Sequence, residues 1–273
     1  MLTKHIGLID KTGKISPSKM TQTAAALQKQ ATRDLGPIWG IQATVDYFPD
    51  MGDMPLGYWP IFIMDKLDDP NAAGYHLDQH HQPLALVLND PGWQLTCSHE
   101  MCEMLVDPFG NRLHTANSIG KNQGRVRYLV EVCDPCEDPA FAYTINGVMV
   151  SDFYTPHYFD PVTNPSVRYS FTGSITKPLQ VNKNGYLSWL NPVDGKWYQA
   201  TFFKNTLQIN QLQMVLDPTK SLRSQVDRLT KNPNLLESVS KFSDDHEKQM
   251  DATLEACTFM SKHYELELMK FAK

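Results

Sequence analysis

The segment 98–103, Ser-His-Glu-Met-Cys-Glu, contains residues whose types and spacing suit metal chemistry. Residues four apart lie on one face of a helix, so His99 and Glu103 would point together at one ion. Glu100 would then stand beside a metal-bound water and accept its proton. The pattern is that of the His-Glu-x-x-His metalloproteases with Glu103 in place of the second histidine. Because the motif is short, the alternative to a metal site is an acidic helix face that includes a histidine by chance.

Two neighbouring features strengthen the metal interpretation. Apolar side chains would bury the other side of the helix and leave the polar group facing a cleft; they are Leu95, Cys102, Leu105 and Val106. Downstream, the run 129–134, Leu-Val-Glu-Val-Cys-Asp, places acids in an otherwise apolar, strand-like segment. Buried carboxylates usually need a cation or hydrogen-bond donors. Asp107 falls near the same helix face as Glu103, one turn further along.

The combined motif resembles a known family. Residues 98–108, Ser-His-Glu-Met-Cys-Glu-Met-Leu-Val-Asp-Pro, and 131–136, Glu-Val-Cys-Asp-Pro-Cys, are similar to the zincin-like proteins that include the plant exordium group and bacterial metallopeptidase relatives. Their usual pattern is Ser/Ala-His-Glu-x-x-Glu-x-x-Thr-Asp-Pro followed by Glu-Ile-x-Asp-x-Cys. Gly-Tyr-His at 74–76 resembles their edge-strand element. The resemblance covers roughly residues 37–160; Val106 replaces the usual threonine, and the Cys133/Cys136 arrangement departs from the family.

The resemblance implies an α+β zincin-like domain, built from a mixed sheet and an active-site helix. Carried over to this chain, it implies three metal ligands: His99, Glu103 and Glu131. Glu100 would be the general base, and Asp134 competes with Glu131 for the third ligand position. Asp107 is a less favoured third ligand; it would rather orient His99 or cap a loop, since metal-bound histidines usually have such a partner. The expected ion is Zn²⁺, and the added carboxylates leave Ca²⁺ or another divalent ion open.

Other residues are expected to complete a substrate cleft. Three side chains are candidates for steadying an oxyanion as neutral donors: Tyr128, Tyr154 and His157. His76 would contact substrate from the strand beside the active helix. For the group His76, His80 and His81 we expect a solvated loop at the cleft rim, with a second metal site as the less favoured alternative.

These residues predict a zinc-dependent hydrolase, most similar to a metallopeptidase, that cleaves a peptide or other amide bond. A metal-activated water would attack the carbonyl while Glu100 takes its proton. The alternative is a non-catalytic scaffold in which the metal is structural. A C-terminal helix would then recruit a partner or build an oligomer.

Periodicity predicts the elements that must position the site. A helix is expected over 18–34, capped by Ser16 or Ser18 and ended by Gly-Pro at 36–37, with an apolar stripe of Met20, Ala24, Leu27, Ala31 and Leu35. Strands are expected over 2–9, 40–47, 58–64 and 83–88. The motif helix follows at about 94–106, an order typical of a zincin's upper half.

Residues 125–197 predict a second lobe rich in strands, ordered loops and aromatic side chains. Strands or ordered loops are expected over 128–133, 141–145, 148–153 and 167–171, and further strand-like runs, the last of which ends beyond the lobe, over 179–181, 186–190 and 196–203. Asn-Gly at 146–147 and 184–185 and Asp-Gly at 194–195 signal hairpin turns. Cys133 and Cys136 lack the context of a redox motif or a zinc ribbon, so we expect structural thiols.

The chain changes character after about residue 217. We expect a zincin-like metal-binding domain over 1–217 and a helical C-terminal extension over 218–273. Within the extension an a/d seam alternates spacings of four and three: Met250, Leu254, Cys257, Ser261, Tyr264, Leu268 and Phe271. The seam over 250–271 either packs on the domain or mediates self-association or the binding of a helical partner.

Composition limits the class of protein further. A net charge of −5 over 273 residues gives no electrostatic case for nucleic-acid binding. We expect no membrane association, because no apolar run is long enough to span a bilayer and the N-terminus does not resemble a signal peptide. Five cysteines cannot form a complete set of disulfides within one chain. We therefore expect a cytoplasmic protein with reduced thiols.

Overall fold

The computed structural model describes residues 2–69, 72–79 and 82–230. Two five-stranded sheets and a central helix give the described chain an α+β fold, as the sequence predicts. The seam over 250–271, with its oligomer or partner role, lies outside the described residues. So do His80 and His81.

The N-terminal sheet is mixed, in the order β2-β1-β3-β5-β4. Four of its strands are parallel: β1 (Lys4–Asp10), β2 (Ala43–Tyr47), β3 (Tyr58–Met64) and β5 (Gln82–Leu88). The edge strand β4 (Gly74–Gln79) pairs antiparallel with β5. The interior strand β1 is an apolar run with four consecutive buried residues, as expected of a parallel strand covered on both faces.

Helix α1 (Pro17–Lys29) packs against this sheet. It begins at Ser16, whose hydroxyl accepts the Lys19 backbone N–H, as an N-cap does. All five residues of the predicted apolar stripe are buried: Met20, Ala24, Leu27, Ala31 and Leu35. The helical period therefore predicted the buried face of this helix correctly.

The prediction that Gly-Pro at 36–37 ends the helix is wrong. The chain continues through a π-helical stretch, Gln30–Leu35, into the short helix α2 (Gly36–Trp39). Pro37 stands at the second position of α2, directly after the π-helical stretch, and does not stop the helix. Gly40, in the left-handed conformation at φ 66°, ends the helix instead.

The motif helix α3 (Trp93–Val106) lies at the predicted position and contacts both β4 and β5. The apolar residues predicted to bury its far side are all buried: Leu95, Cys102, Leu105 and Val106. Ser98, Glu100 and Glu103 are buried as well. The helix is therefore enclosed on almost every side, and its polar groups need partners inside the protein.

The second sheet is antiparallel, in the order β12-β11-β10-β7-β6. Its strands are β6 (Leu113–Asn117), β7 (Arg125–Leu129), β10 (Tyr186–Asn191), β11 (Lys196–Thr201) and β12 (Gln208–Leu212). A separate hairpin joins β8 (Tyr143–Ile145) to β9 (Val148–Val150). Its Asn-Gly turn at 146–147 is the one predicted, with both φ angles positive.

The run 167–171, predicted as a strand or an ordered loop, is a loop in which Ser170 forms an isolated bridge to Tyr154, and the strand predicted over 179–181 does not form. A buried carboxylate organises much of this region instead. Asp152 accepts the backbone N–H groups of Phe153 and Thr172 and the hydroxyls of Thr172 and Ser174, at 2.7–2.9 Å. Hydrogen bonds to the Asp152 side chain thus satisfy backbone N–H groups of the loop, which needs no pairing with a neighbouring strand.

The described chain ends just after helix α4 (Leu222–Asp227). None of the described helices is long and apolar enough to cross a membrane.

A buried hydrogen-bond ring joins the π-helical stretch to α3. The Ser98 hydroxyl donates to Gln30 Oε1 at 2.7 Å, and Gln30 Nε2 donates to the Ser151 carbonyl oxygen at 2.9 Å. The Ser151 backbone N–H closes the ring by donating to Ser98 Oγ at 2.8 Å. Because these groups are all buried, the ring fixes α3 relative to the second lobe.

We expect Ser98→Ala to lower the free energy of unfolding by about 1–3 kcal/mol, because it leaves Gln30 Oε1 and the Ser151 N–H buried without their partner. Urea denaturation followed by circular dichroism would measure the change. Ser166→Ala, at an exposed serine, serves as the control and should change stability little. Equal stability of the two variants would contradict the role assigned to the ring.

Candidate metal centre

Four separate parts of the chain converge on one buried polar cluster. Helix α3 supplies His99, Glu100 and Glu103, and strand β4 supplies His76. The irregular segment after β7 supplies Glu131 and Asp134, and α4 supplies Arg223. Their side chains are buried or nearly so, with His99 the most exposed at 13 %.

The first group of potential ligands in the cluster is His99, Glu103 and Asp134, whose ligand atoms lie within 4.8 Å of one another. His99 Nε2 is 3.3 Å from Glu103 Oε1 and 3.3 Å from Asp134 Oδ1. Asp134 Oδ1 is buried and has no hydrogen-bond partner among the described residues. The i, i+4 pair predicted from the sequence therefore does converge, and a distal acid joins it.

The second group is His76, Glu100 and Glu103, and all three side chains are buried. His76 Nδ1 is 3.4 Å from Glu100 Oε2 and 3.8 Å from Glu103 Oε2. The expectation of a solvated loop for His76 is wrong, because the edge strand β4 packs against α3 and covers the imidazole.

Two other predicted acids take different places. Glu131 lies beside the second group, with Oε2 3.9 Å from His76 Nε2, and does not belong to the His99 group. Asp107 ends α3, and its carboxylate accepts the backbone N–H groups of Asn111 and Arg112. Of the roles open to Asp107, a ligand, a partner of His99 or a loop cap, its hydrogen bonds match the loop cap, and it belongs to neither ligand group of the described residues.

Arg223 was not found by sequence reasoning. Its guanidinium lies 3.2 Å from Glu103 Oε2, 3.5 Å from Glu131 Oε2 and 2.5 Å from Asp134 Oδ2. Nε also pairs with Asp227 at 2.9 Å. Arginine suits this position because its planar fork of donors can contact several carboxylates at once. No motif or spacing in the sequence connects this arginine to the acids that precede it.

The cluster has a clear electrostatic consequence. Burial by itself raises the pKa of the Glu103 carboxyl, but Arg223 and His99 outweigh it and hold that pKa well below its usual range. Burial, with the charge of Glu103 nearby, raises the pKa of Glu131 well above its usual range despite Arg223. Burial also raises the pKa of Asp134. The Arg223 guanidinium therefore balances the negative charge of Glu103 well and the charges of Glu131 and Asp134 only in part.

Tyr154 is the only one of the three predicted oxyanion donors that the structure brings near the cluster with a free hydroxyl. Its hydroxyl is buried without a hydrogen-bond partner, and burial together with neighbouring groups that include Glu131 raises its pKa. The Tyr128 hydroxyl already donates to the Asn117 carbonyl. His157 lies half-exposed beside Asp160, at 2.9 Å, and is not part of the cluster.

Close backbone packing explains how these segments meet. The Tyr154 N–H donates to the Val132 carbonyl at 2.7 Å, and the Cys133 N–H donates to Glu103 Oε1 at 3.2 Å. A Cβ on Gly185 would stand 2.7 Å from the Asp134 carbonyl oxygen, so only glycine fits there. Cys133 and Cys136 are free buried thiols, consistent with a structural role.

A cavity of about 820 Å³ opens beside the cluster, and His99, Glu100 and Arg223 are among the residues that line it. Strand β4 forms part of its wall through Gly74, Tyr75 and Leu77. This size lies within the range of small-molecule and substrate sites. His99 and Glu100 are therefore the members of the cluster best placed to meet a ligand.

Comparison of the chain with models of known protein families, with curated proteins and with solved structures finds no match. The interpretation of the cluster therefore depends on its own geometry and chemistry.

We expect Arg223→Met to destabilise the metal-free protein by about 3–5 kcal/mol, because it leaves buried carboxylates without their cationic partner. Urea denaturation in the presence of a chelator would measure the loss. Lys220→Met, which removes an exposed ion pair with Asp217 on the same segment, is the matched control and should cost about 0–1 kcal/mol. Similar values for both variants would show that Arg223 does not compensate the cluster.

Proposed function

We propose that this protein is a metal-dependent hydrolase of the zincin-like type, with a divalent cation bound by His99, Glu103 and Asp134. The observation that carries the proposal is the spacing of the ligand atoms. A tetrahedral ion bound at roughly 2.0–2.1 Å from nitrogen and oxygen ligands requires those ligands to lie roughly 3.3 Å apart. His99 Nε2 lies 3.3 Å from each of the two carboxylate oxygens.

The orphaned oxygen of Asp134 supports the same conclusion. Leaving a buried carboxylate oxygen without a partner is costly, and Asp134 Oδ1 faces His99 without a hydrogen bond to it. A cation would satisfy this oxygen and His99 together. The geometry therefore favours Asp134 over Glu131 as the third ligand.

The donor set favours zinc or another first-row divalent ion. Imidazole nitrogen suits zinc and its neighbours in the transition series, whereas Ca²⁺ takes six to eight oxygen ligands. The carboxylates make the site harder than a site with two or three histidines. Manganese or cobalt would therefore be accepted as well.

The residues around the site fit hydrolysis of an amide bond. A bound divalent ion supplies Lewis acidity and lowers the pKa of a coordinated water. Glu100 lies next to His99 at the cavity wall and would accept the proton of the attacking water and pass it to the leaving nitrogen. The Tyr154 hydroxyl has no hydrogen-bond partner among the described residues, but it is fully buried and does not line the cavity, so no substrate contact is assigned to it.

The cavity wall favours a peptide substrate. Strand β4 is the edge of its sheet, so an extended peptide could pair with it by backbone hydrogen bonds. That pairing would lay the peptide across the mouth of the site beside His99 and Glu100. We therefore propose a metallopeptidase activity with substrate contacts from β4.

We expect Zn²⁺ to stabilise the chelator-treated protein by about 2.7 kcal/mol at a concentration near 100 times its Kd, since binding to the folded state alone has this effect. Thermal unfolding and elemental analysis would measure stabilisation and metal content. His99→Gln and Asp134→Asn should lose the ion at His99 and its share of the stabilisation. His157→Gln, at the half-exposed histidine outside the cluster, should keep it. Wild-type protein that binds no metal would refute the proposal.

We expect Glu100→Gln to slow hydrolysis of fluorogenic peptides by about 10²–10⁴-fold while the ion at His99 is retained, because the proton acceptor is lost and the ligands of that ion are kept. Initial rates and metal content would be measured on the same samples. Asp65→Asn is an acid-to-amide control at an exposed ion pair and should keep the wild-type rate. An unchanged rate in Glu100→Gln would rule out Glu100 as the base.

A second candidate function is a non-catalytic scaffold, and the ion pairs of Arg223 favour it. The guanidinium already contacts three carboxylates of the cluster, so the acids have a structural use without turnover. In this case the extension beyond α4 would bind a helical partner or a second copy of the chain. Stoichiometric metal with no hydrolysis of any peptide probe would favour this function.

A further inference from the structure

We infer a second cation position beside the first, bound by His76, Glu100 and Glu103, so that Glu103 bridges two ions. The inference rests on the proposed function for the first ion and deepens it from a one-metal to a two-metal centre. The second position uses a different histidine, supplied by β4, and a different oxygen of the shared carboxylate.

The ligand atoms of this second group are close and enclosed. His76 is 0 % exposed, Glu100 3 % and Glu103 0 %. Their ligand atoms lie within 4.8 Å of one another, with His76 Nδ1 3.4 Å from Glu100 Oε2. A buried histidine held between two buried acids has the donor types and spacing of a transition-metal site.

Buried atoms on the other side of His76 lack hydrogen bonds within the described chain, although Glu131 Oε2 has an ion-pair contact with Arg223 at 3.5 Å. His76 Nε2 and both Glu131 oxygens are buried and have no hydrogen-bond partner among the described residues. Glu131 Oε2 lies 3.9 Å from His76 Nε2. Buried polar atoms left this way are costly, and an ion held by the His76 group would place positive charge next to Glu131.

The two oxygens of Glu103 face different groups. Oε1 faces His99 at 3.3 Å, and Oε2 faces His76 at 3.8 Å. A bridging carboxylate of this kind holds two ions roughly 3.5–4 Å apart in two-metal hydrolases. Arg223 also approaches Oε2, at 3.2 Å, and a carboxylate oxygen can accept two partners.

The charge of the cluster favours two ions over one. Glu100, Glu103, Glu131 and Asp134 are buried acids, and Asp227 adds a fifth carboxylate on the far side of Arg223. Burial raises the pKa of Glu131, Asp134 and Asp227 in the metal-free protein, and bound cations would favour their ionised forms. With both histidines neutral, as ligation requires, and all five carboxyls ionised, two divalent cations and one guanidinium would balance five carboxylates. A single divalent cation would leave two negative charges uncompensated.

Glu100 can act both as the proton acceptor and as a ligand of the second ion, because it has two oxygens. Its Oε2 faces His76 and would bind the second ion, while its other oxygen remains available to the attacking water. The alternative without a second ion is a protonated His76 that forms an ion pair with Glu100. The two alternatives differ in metal stoichiometry and in magnetic coupling between ions.

The test titrates chelator-treated, full-length protein with Mn²⁺ and measures bound metal by elemental analysis and coupling by electron paramagnetic resonance. We expect about two equivalents and the spectrum of a spin-coupled pair, because the ions would lie roughly 3.5–4 Å apart. One equivalent, or two uncoupled ions, would overturn the second position and leave the first intact. No bound metal would overturn the proposed function as well. This measurement needs no variant.

Variants assign the two positions. His76→Gln, close in volume to the histidine, should lower the stoichiometry to about one and abolish the coupling, while His99→Gln should leave the ion of the His76 group. His157→Gln should keep both ions. Circular dichroism would confirm that each variant is folded. Two coupled ions in folded His76→Gln protein would overturn the assignment of this site to His76.

Discussion

The ion pairs between Arg223 and the carboxylates of Glu103, Glu131 and Asp134 are the interaction on which the centre of this structure depends. Burying several acids together is unfavourable, both because they lose water and because they repel one another. A single guanidinium contacts three of them at once. It also ties α4 to α3, so the described part of the predicted C-terminal extension helps to form the centre.

The rest of the fold brings these charges together and keeps them enclosed. The mixed sheet packs against α3 and supplies His76 from its edge strand. The segment after β7 brings Glu131 and Asp134 from the other lobe. The ring of Gln30, Ser98 and Ser151 fixes the helix between the two lobes. Such a centre is held by long-range contacts from every side, which suits a site whose ligands must not move apart.

The carboxylates of Glu103 and Asp134 each have two uses. One oxygen of each faces His99, and the other faces Arg223. The arginine therefore does not exclude an ion at His99; it orients the oxygens that would bind it. The same division of oxygens links the proposed first ion to the second, because Glu103 Oε2 also faces His76. The proposed hydrolase and the alternative scaffold differ in whether a water on the cavity side of His99 and Glu100 is activated and attacks a substrate.

The sequence by itself determined the local features: the buried stripe of α1, the bounds of α3, the Asn-Gly hairpin and the convergence of His99 with Glu103. Each follows from helical or turn geometry within a few residues. Only the tertiary structure decided that Asp134 rather than Glu131 joins His99, that His76 is buried, and that Arg223 enters the cluster. These depend on contacts between residues far apart in the chain, for which one sequence carries no periodic signal. They are settled by how the lobes pack and which buried charges find partners.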